Sequence, residues 1–173
     1  MVEMNYMEFE NKCDFDMDKL LLTKKNEVFK ILQNKCDRFV LVIPLEKVKN
    51  EQERLREEEE IKNCLVFKYL KEFFLESRLC RKHGTPLPRK KGKKGYILVD
   101  NWYFFSCTRE SLKVLKRYPN IYEIADWIDI YFIRNSDIVL RTISHEYMCS
   151  GSKELFFQLS DRKNQQDFGE IFE

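Results

Sequence analysis

The chain has 173 residues, of which 43% are hydrophobic and 14% aromatic, and its 31 Lys and Arg residues against 29 Asp and Glu give a formal net charge of +2. This length and aromatic content exclude wholesale disorder and fit one domain built around one core. Five glycines and four prolines are too few for the many turns of an all-β sandwich, so the composition favours a mixture of helices and strands.

The first residues of the chain are acidic and do not resemble a secretory signal, which requires a basic region followed by an apolar one. No uncharged apolar run approaches the length needed to cross a bilayer. The six cysteines are spread along the chain without a CxxC pair. We therefore expect an intracellular protein, cytoplasmic or nuclear and not secreted, with reduced thiols and no membrane partner.

The first half of the chain predicts two helices and one strand. Residues 1–22 form an acidic, irregular segment, and a helix is predicted from about residue 23 to residue 36. Residues 38–43 are apolar and β-branched and predict a buried strand that ends at a proline. Residues 47–82 contain no helix breaker and predict one long helix, with a charged, solvated first half and an apolar face on its second half.

The second half of the chain predicts two hairpins and two short helices. The first hairpin turns at Asp100 and Asn101, which lie between two aromatic and β-branched runs and tolerate a positive φ. Thr108 is expected to cap a helix that ends before Pro119. The remaining predicted elements are a hairpin over residues 128–134 and 138–148, an amphipathic segment at 154–159 and a polar tail at 161–173.

This order of elements predicts an α+β fold. From residue 38 onward it matches a ferredoxin-like arrangement with one strand added, that is, a mainly antiparallel sheet of about five strands with helices on one face. We expect a single domain over residues 23–160, an N-terminal segment at 1–22 and a C-terminal tail at 161–173.

One segment dominates the charge distribution. The basic loop, defined as residues 78–95, holds eight of the 31 Lys and Arg residues, and no acid occurs between Glu76 and Asp100. The rest of the chain has 23 basic and 29 acidic residues. Cations on a loop that contains glycine and proline can follow a phosphate backbone and release its condensed counterions. The predicted nucleic-acid-binding cations are Arg78, Arg81, Lys82, Arg89, Lys90, Lys91, Lys93 and Lys94.

Aromatic residues follow the basic loop directly, on predicted strands where alternate side chains face opposite ways. We expect Tyr96 and one alternate set, Tyr103 with Phe105, to face solvent and stack on unpaired bases. The alternative is that these aromatics belong to the core. For the loop itself, the alternative is an exposed, solubilising segment.

Metal and cofactor motifs are lacking. Cys80 and His83 have a spacing that metal sites use, but no second Cys or His pair lies in range, and the surrounding cations oppose a divalent ion. Glycine-rich phosphate loops and nucleophile elbows are also missing from the sequence. We predict no metal and no cofactor.

Acid and base chemistry has one weak candidate in the sequence. Glu123, Asp126 and Asp129 could share one helix face and form an acidic patch with His145. We favour their interpretation as surface carboxylates, and the chain is predicted to be a binding protein rather than an enzyme.

Two functions remain open at this level. The first is binding to the phosphate backbone of RNA or DNA, with RNA favoured, alone or within a ribonucleoprotein, through the basic loop. The second is a protein-interaction module, such as an immunity protein, an antitoxin or a viral inhibitor of a host protein, that acts by covering its partner. The acidic remainder of the chain and the charged stretch at residues 50–60 motivate the second function.

Overall fold

The computed structural model describes residues 10–48, 63–81, 97–124 and 128–160, together with positions 52, 55, 56, 59 and 60, which are helical. Apart from these helical positions, it contains an eight-stranded sheet and five helices in the described ranges. The strands are β1 (Glu10–Asn11), β2 (Cys13–Asp16), β3 (Arg38–Val48), β4 (Phe74–Arg81), β5 (Ile97–Ser106), β6 (Asp129–Arg134), β7 (Asp137–Ile143) and β8 (Met148–Ser152). The helices are α1 (Asp18–Thr23), α2 (Lys25–Lys35), α3 (Leu65–Leu70), α4 (Arg109–Lys116) and α5 (Lys153–Leu159).

The sheet has the strand order β2-β8-β7-β6-β3-β5-β4, and β1 pairs with β7. Every pairing is antiparallel except that of β1 with β7. The α+β class and the antiparallel sheet are therefore confirmed. The prediction of about five strands in a ferredoxin-like order is wrong, because residues 10–16 and 74–81 form strands that were not predicted and residues 97–106 form one strand instead of two.

Helices α1 to α5 pack on one face of the sheet. Their buried residues join one large core cluster with the inward residues of the central strands, including Phe39, Phe105 and Phe132. A smaller cluster on the other face contains strand residues alone, among them Val40 and Phe104. Neighbouring residues of β3 and β5 thus point to opposite faces, as the two-residue period of a strand requires. Within the described part of the chain, every helix is too short or too polar to cross a bilayer.

The prediction of one continuous helix over residues 47–82 is wrong, although positions 52, 55, 56, 59 and 60 and residues 65–70 within it are helical. Strand β3 continues through Val48, α3 covers six residues only, and a 3₁₀ turn at Lys71–Phe73 leads into β4. Pairing with β5 along residues 74–81 overrides the helical propensity of this stretch. Strand β3 can include Pro44 because its pairing with β6 ends at Val42, so only β5 accompanies it there.

The predicted hairpin turn at Asp100 and Asn101 is also wrong. Both residues lie inside β5, which pairs with β3 on one side and β4 on the other. Asn101 is buried, and its side-chain Nδ2 donates a hydrogen bond to Tyr103 Oη at 2.9 Å. A central strand satisfies its backbone groups on both sides, and this outweighs the local preference of Asp-Asn for a turn.

Several other predicted elements are confirmed. Helix α2 buries Val28 and Leu32, and Thr108 caps α4 by accepting a hydrogen bond from the backbone N–H of Ser111 at 3.1 Å. The second hairpin forms from β6 and β7, with Asn135 at φ 54° in its turn. Residues 10–22, expected to be irregular, instead form β1, β2 and most of α1, and they contribute the buried Met17 to the core. The tail at 161–173 lies outside the described residues.

Candidate functional site

The basic loop lies at the end of an antiparallel strand pair. Its first four residues belong to β4, and Arg81 is the partner of Val99 in β5. Residues 82–96 therefore connect two strands whose ends are adjacent in the sheet. Several predicted binding residues lie outside the described residues, namely Lys82, Arg89, Lys90, Lys91, Lys93, Lys94 and Tyr96, as does the side chain of Arg81.

Arg78 is exposed and ion-paired. Its Nε and Nη2 atoms donate to Glu76 Oε2 at 3.1 and 3.0 Å, and Arg38 Nη1 lies 3.7 Å from the other oxygen of the same carboxylate. This side chain is described and belongs to the predicted cation set, and it already shares an acid with a second arginine. A phosphate bound at Arg78 would have to compete with Glu76.

Tyr103 and Phe105 do not face solvent as predicted. Each is 1% exposed, and each points to the helix side of the sheet. The neighbouring Trp102 and Phe104 take the opposite face, so the alternation is confirmed, and the alternative that Tyr103 and Phe105 belong to the core is correct. The sequence of residues 102–105 does not indicate which alternate set faces the helices, because both sets are aromatic.

A depression of about 500 Å³ nevertheless lies directly above these two rings. We call it the aromatic groove. It is bounded by α3, the 3₁₀ turn that follows α3 and the start of β4. Its lining residues are Asn63, Phe67, Lys68, Lys71, Phe74, Tyr103 and Phe105.

The aromatic rings of the groove contact one another, edge to face in three of the four pairs and tilted in the pair of Phe74 with Tyr103. Phe67 of α3 lies 4.9 Å from Tyr103 and 5.9 Å from Phe105, measured between ring centroids, with interplanar angles of 80° and 62°. Phe74 of β4 lies 6.3 and 5.8 Å from the same two rings. Edge-to-face pairs of this kind are favourable beyond the burial of their area. They give the groove a fixed aromatic floor and two aromatic walls.

The charges at the groove have one sign. Lys68 and Lys71 are exposed and three residues apart, a spacing that places two side chains on the same side of a helical turn. None of the described residues that line the groove is acidic. The arrangement suits an anion that carries an apolar or aromatic group.

The sequence contains the groove residues, but no local signal brings them together. Lys68 and Lys71 have the spacing of an ordinary solvated helix face, and Phe67 and Phe74 that of a buried one. The groove requires the chain to leave the helix at residue 71, and no Gly or Pro marks this point.

The opposite face of the sheet carries a second aromatic cluster. Trp102 and Tyr131 contact edge to face at 5.2 Å, Arg141 lies 5.5 Å from the Tyr131 ring, and Arg38 lies 4.9 Å from the ring of Phe104. Burial raises the pKa of Tyr131 to about 12, although the nearby Arg141 opposes the shift. Trp102 and Tyr131 are half-buried.

A larger open depression, of about 830 Å³, lies beside the β6–β7 turn. Its lining includes acids and bases in equal measure, and Lys12 Nζ lies 3.1 Å from Asp137 Oδ2 across it. Lys35 forms an ion pair with Glu154 nearby. With both signs of charge interleaved, this depression has no preference for an anion or a cation.

The predicted acidic patch is described in part, through Glu123, Asp129 and His145. Asp129 Oδ1 accepts a hydrogen bond from the backbone N–H of Ser144 at 2.6 Å, and burial raises the pKa of this carboxyl. His145 is exposed beside Glu146, with 3.5 Å between Nε2 and Oε1. Asp126 lies outside the described residues. Among the residues that are described, no cluster of three or more His, Cys, Asp or Glu side chains could hold a metal ion.

The five described cysteines are free thiols. Cys64 is exposed and the other four are buried. Burial raises the pKa of Cys13 and of Cys107 to about 12, so these thiols stay protonated and unreactive at neutral pH. Cys80 and His83, considered above for metal binding, lie in a part of the chain whose side chains are not described.

The sequence matches no protein-family model, no curated protein and no solved structure. A functional assignment therefore rests on the residues and their geometry.

Proposed function

We propose that this protein binds nucleic acid, preferentially RNA, through the basic loop, and that it acts as a binding protein rather than as an enzyme. The observation that carries the proposal is the position of the loop. Residues 82–96, with six of the eight cations, join the paired ends of β4 and β5. These six cations thus belong to one connection between two paired strands, and we expect a phosphate backbone to contact several of them.

The charge balance of the chain supports binding through the basic loop. Outside the basic loop, acids outnumber bases by 29 to 23, so a polyanion is repelled by most of the chain and attracted to the loop. Such binding releases counterions from the phosphates and therefore weakens steeply as salt increases. The free thiols of the described cysteines accord with a reducing, intracellular compartment.

The test is a salt series with purified protein and fluorescent single-stranded and duplex RNA and DNA. In the loop variant, Gln replaces Arg89, Lys90, Lys91, Lys93 and Lys94. If each of the five contacts a phosphate, the slope of log K against log salt should decrease in magnitude by about 3.5 to 4.5, at roughly 0.7 to 0.9 per contact.

The matched control removes the same charge elsewhere. Five exposed cations on the described helices are replaced by Gln, namely Lys19, Lys30, Arg109, Lys113 and Lys153. The control should keep most of the wild-type affinity and slope. Equal losses of affinity in both variants would mean that binding depends on net charge and not on the basic loop. Unchanged binding in the loop variant would refute the assignment.

A protein-interaction function is the second candidate, and one observation favours it. On its side of the sheet, β4 is the last strand among the described residues, and it exposes Phe74 by 43% and Leu75 by 55%. An edge strand with exposed apolar side chains can pair with a strand of another protein. A protein that acts in this way would retain one polypeptide partner in nuclease-treated extract, with the loop variant retaining it equally well.

A further inference from the structure

The aromatic groove has the features of a small-molecule site. Its volume of about 500 Å³ falls within the usual range for ligand pockets, roughly 300 to 1,000 Å³. Three of its four rings are almost entirely buried, whereas Phe74 is 43% exposed. Phe74 is therefore the ring with free surface on which a flat ligand can stack.

The polar groups of the groove restrict the ligand further. Lys68 and Lys71 supply two cations at one side, and the described lining includes no acid to attract an amine or a metal. The side-chain amide of Asn63 can both donate and accept hydrogen bonds, as the edge of a nucleobase requires. Four aromatic rings, rather than aliphatic side chains, favour a flat aromatic ligand over an acyl chain.

We infer that the aromatic groove binds one nucleotide unit. The base stacks on Phe74 over the floor formed by Tyr103 and Phe105, and the phosphate lies against Lys68 and Lys71. The unit can be a free nucleotide or an unpaired nucleotide of a single strand. In the second form the inference rests on the proposed function, because the basic loop then holds the rest of the strand.

The groove lies at the first residue of β4, and residues 82–96, which hold most of the loop cations, follow its last residue. Phe74 begins this strand and Arg81 ends it, so about 23 Å separate them at roughly 3.3 Å per residue. A mononucleotide can contact the groove alone, whereas a strand of several nucleotides is needed to reach both places. Probes of different length therefore distinguish binding at the groove from binding at the basic loop.

The first experiment measures the affinity of the full chain for three probes by isothermal titration calorimetry. These are adenosine 5′-monophosphate, adenosine without the phosphate, and ribose 5-phosphate without the base. We expect the monophosphate to bind more tightly than either fragment. Phe74→Ala should weaken its binding by at least about fivefold, the lower end of the loss when a stacking ring is removed, and should leave ribose 5-phosphate unaffected.

The lysine variant should show the opposite pattern. Replacing Lys68 and Lys71 by Gln should reduce the affinity for the monophosphate to that for adenosine, with little effect on adenosine itself. The controls are Leu75→Ala, an exposed neighbour of Phe74 that does not line the groove, and a variant in which Gln replaces Lys30 and Lys113. Thermal unfolding of each variant confirms that it is folded. No binding of the monophosphate at millimolar concentration, or equal binding by wild type and both groove variants, would overturn the inference.

The second experiment uses single-stranded and duplex octanucleotides with the same groove variants and the loop variant. If the groove holds an unpaired base, Phe74→Ala should reduce single-strand binding and leave duplex binding unchanged. If the monophosphate binds in the groove but the loop variant keeps full affinity for the octanucleotides, the proposed function fails and the groove remains a site for free nucleotides. If the loop variant loses the octanucleotides but the monophosphate never binds, the proposed function holds and the inference about the groove is wrong.

Discussion

Gly151 of β8 packs closely against Met17, and we predict that any other residue at this position destabilises the fold. A Cβ atom added at Gly151 would lie 2.7 Å from Met17 Cγ and 3.0 Å from Met17 Sδ, whereas carbon atoms pack best at roughly 3.5 to 4.0 Å. Met17 is fully buried at 0% exposure, and Leu155 Cδ2 would lie 3.3 Å from the new atom on another side. The side chain of Met17 therefore has little room to withdraw.

Gly151→Ala should destabilise the fold by about 1 to 3 kcal/mol, the usual cost of overpacking a core. For a chain of this size each kcal/mol lowers Tm by about 2 to 4 °C, so the expected decrease is about 2 to 12 °C. Thermal unfolding followed by circular dichroism measures it. A variant with the wild-type Tm would refute the close contact.

A double-mutant cycle tests the cause of this loss. Met17→Ala alone should cost about 2 to 5 kcal/mol, because it leaves a cavity. Combined with Gly151→Ala it should cost less than the sum of the two, because the new methyl group occupies part of that cavity and no longer meets a side chain. Since β8 and β4 lie near opposite ends of the sheet, nucleotide binding by the folded protein should be unchanged.

Three further predictions concern groups outside the groove and the loop. Burial raises the pKa of Asp129, so its ionisation costs stability once the pH rises past the unfolded-state pKa near 4. Asp129→Asn, which keeps an acceptor for Ser144, should match or exceed the wild-type Tm at pH 7 and lose this advantage as the pH falls below about 4. Iodoacetamide at pH 8 should modify Cys64 before the four buried described cysteines, as peptide mass spectrometry would show; simultaneous labelling would contradict their burial. Thr108→Ala removes the N-cap acceptor of α4 and should cost about 1 kcal/mol in denaturant unfolding, whereas an unchanged midpoint would mean that the cap is dispensable.

The parts of the fold that sequence reasoning predicted are those fixed by local signals. Thr108 begins a helix because its side chain can accept from the N–H three residues on, whatever surrounds it. The hairpin of β6 and β7 follows from a polar turn between two apolar runs, with Asn135 adopting the positive φ that asparagine tolerates. These elements can be predicted without information about distant contacts.

The parts that were predicted wrongly depend on pairing between distant residues. Strand β4 exists because β5 supplies its hydrogen-bonding partners, and β5 runs through Asp100 and Asn101 because β3 and β4 flank it. Residues 10–22 join the sheet through pairings with β7 and β8, more than a hundred residues away. Such contacts leave no trace in a local window of the sequence.

The error about the helix at 47–82 and the failure to find the groove have the same cause. In one continuous helix, Phe67 and Phe74 would both face the core and the two lysines would be ordinary solvated side chains. Because the chain instead turns at Lys71–Phe73 and returns as β4, Phe67 and Phe74 come to lie on two sides of the Tyr103 and Phe105 rings.

The same turn also sets the direction of β4, which carries the chain from the groove to the basic loop. Between Phe74 and Arg81, Glu76 pairs with Arg78 of the same strand and contacts Arg38 of β3, so these two cations share one acid. The described lining of the groove has no such acid, and the sequence of the loop has none either. We therefore expect an anion at the groove and at residues 82–96, and a single strand that lies along this edge of the sheet with one base in the groove would contact both.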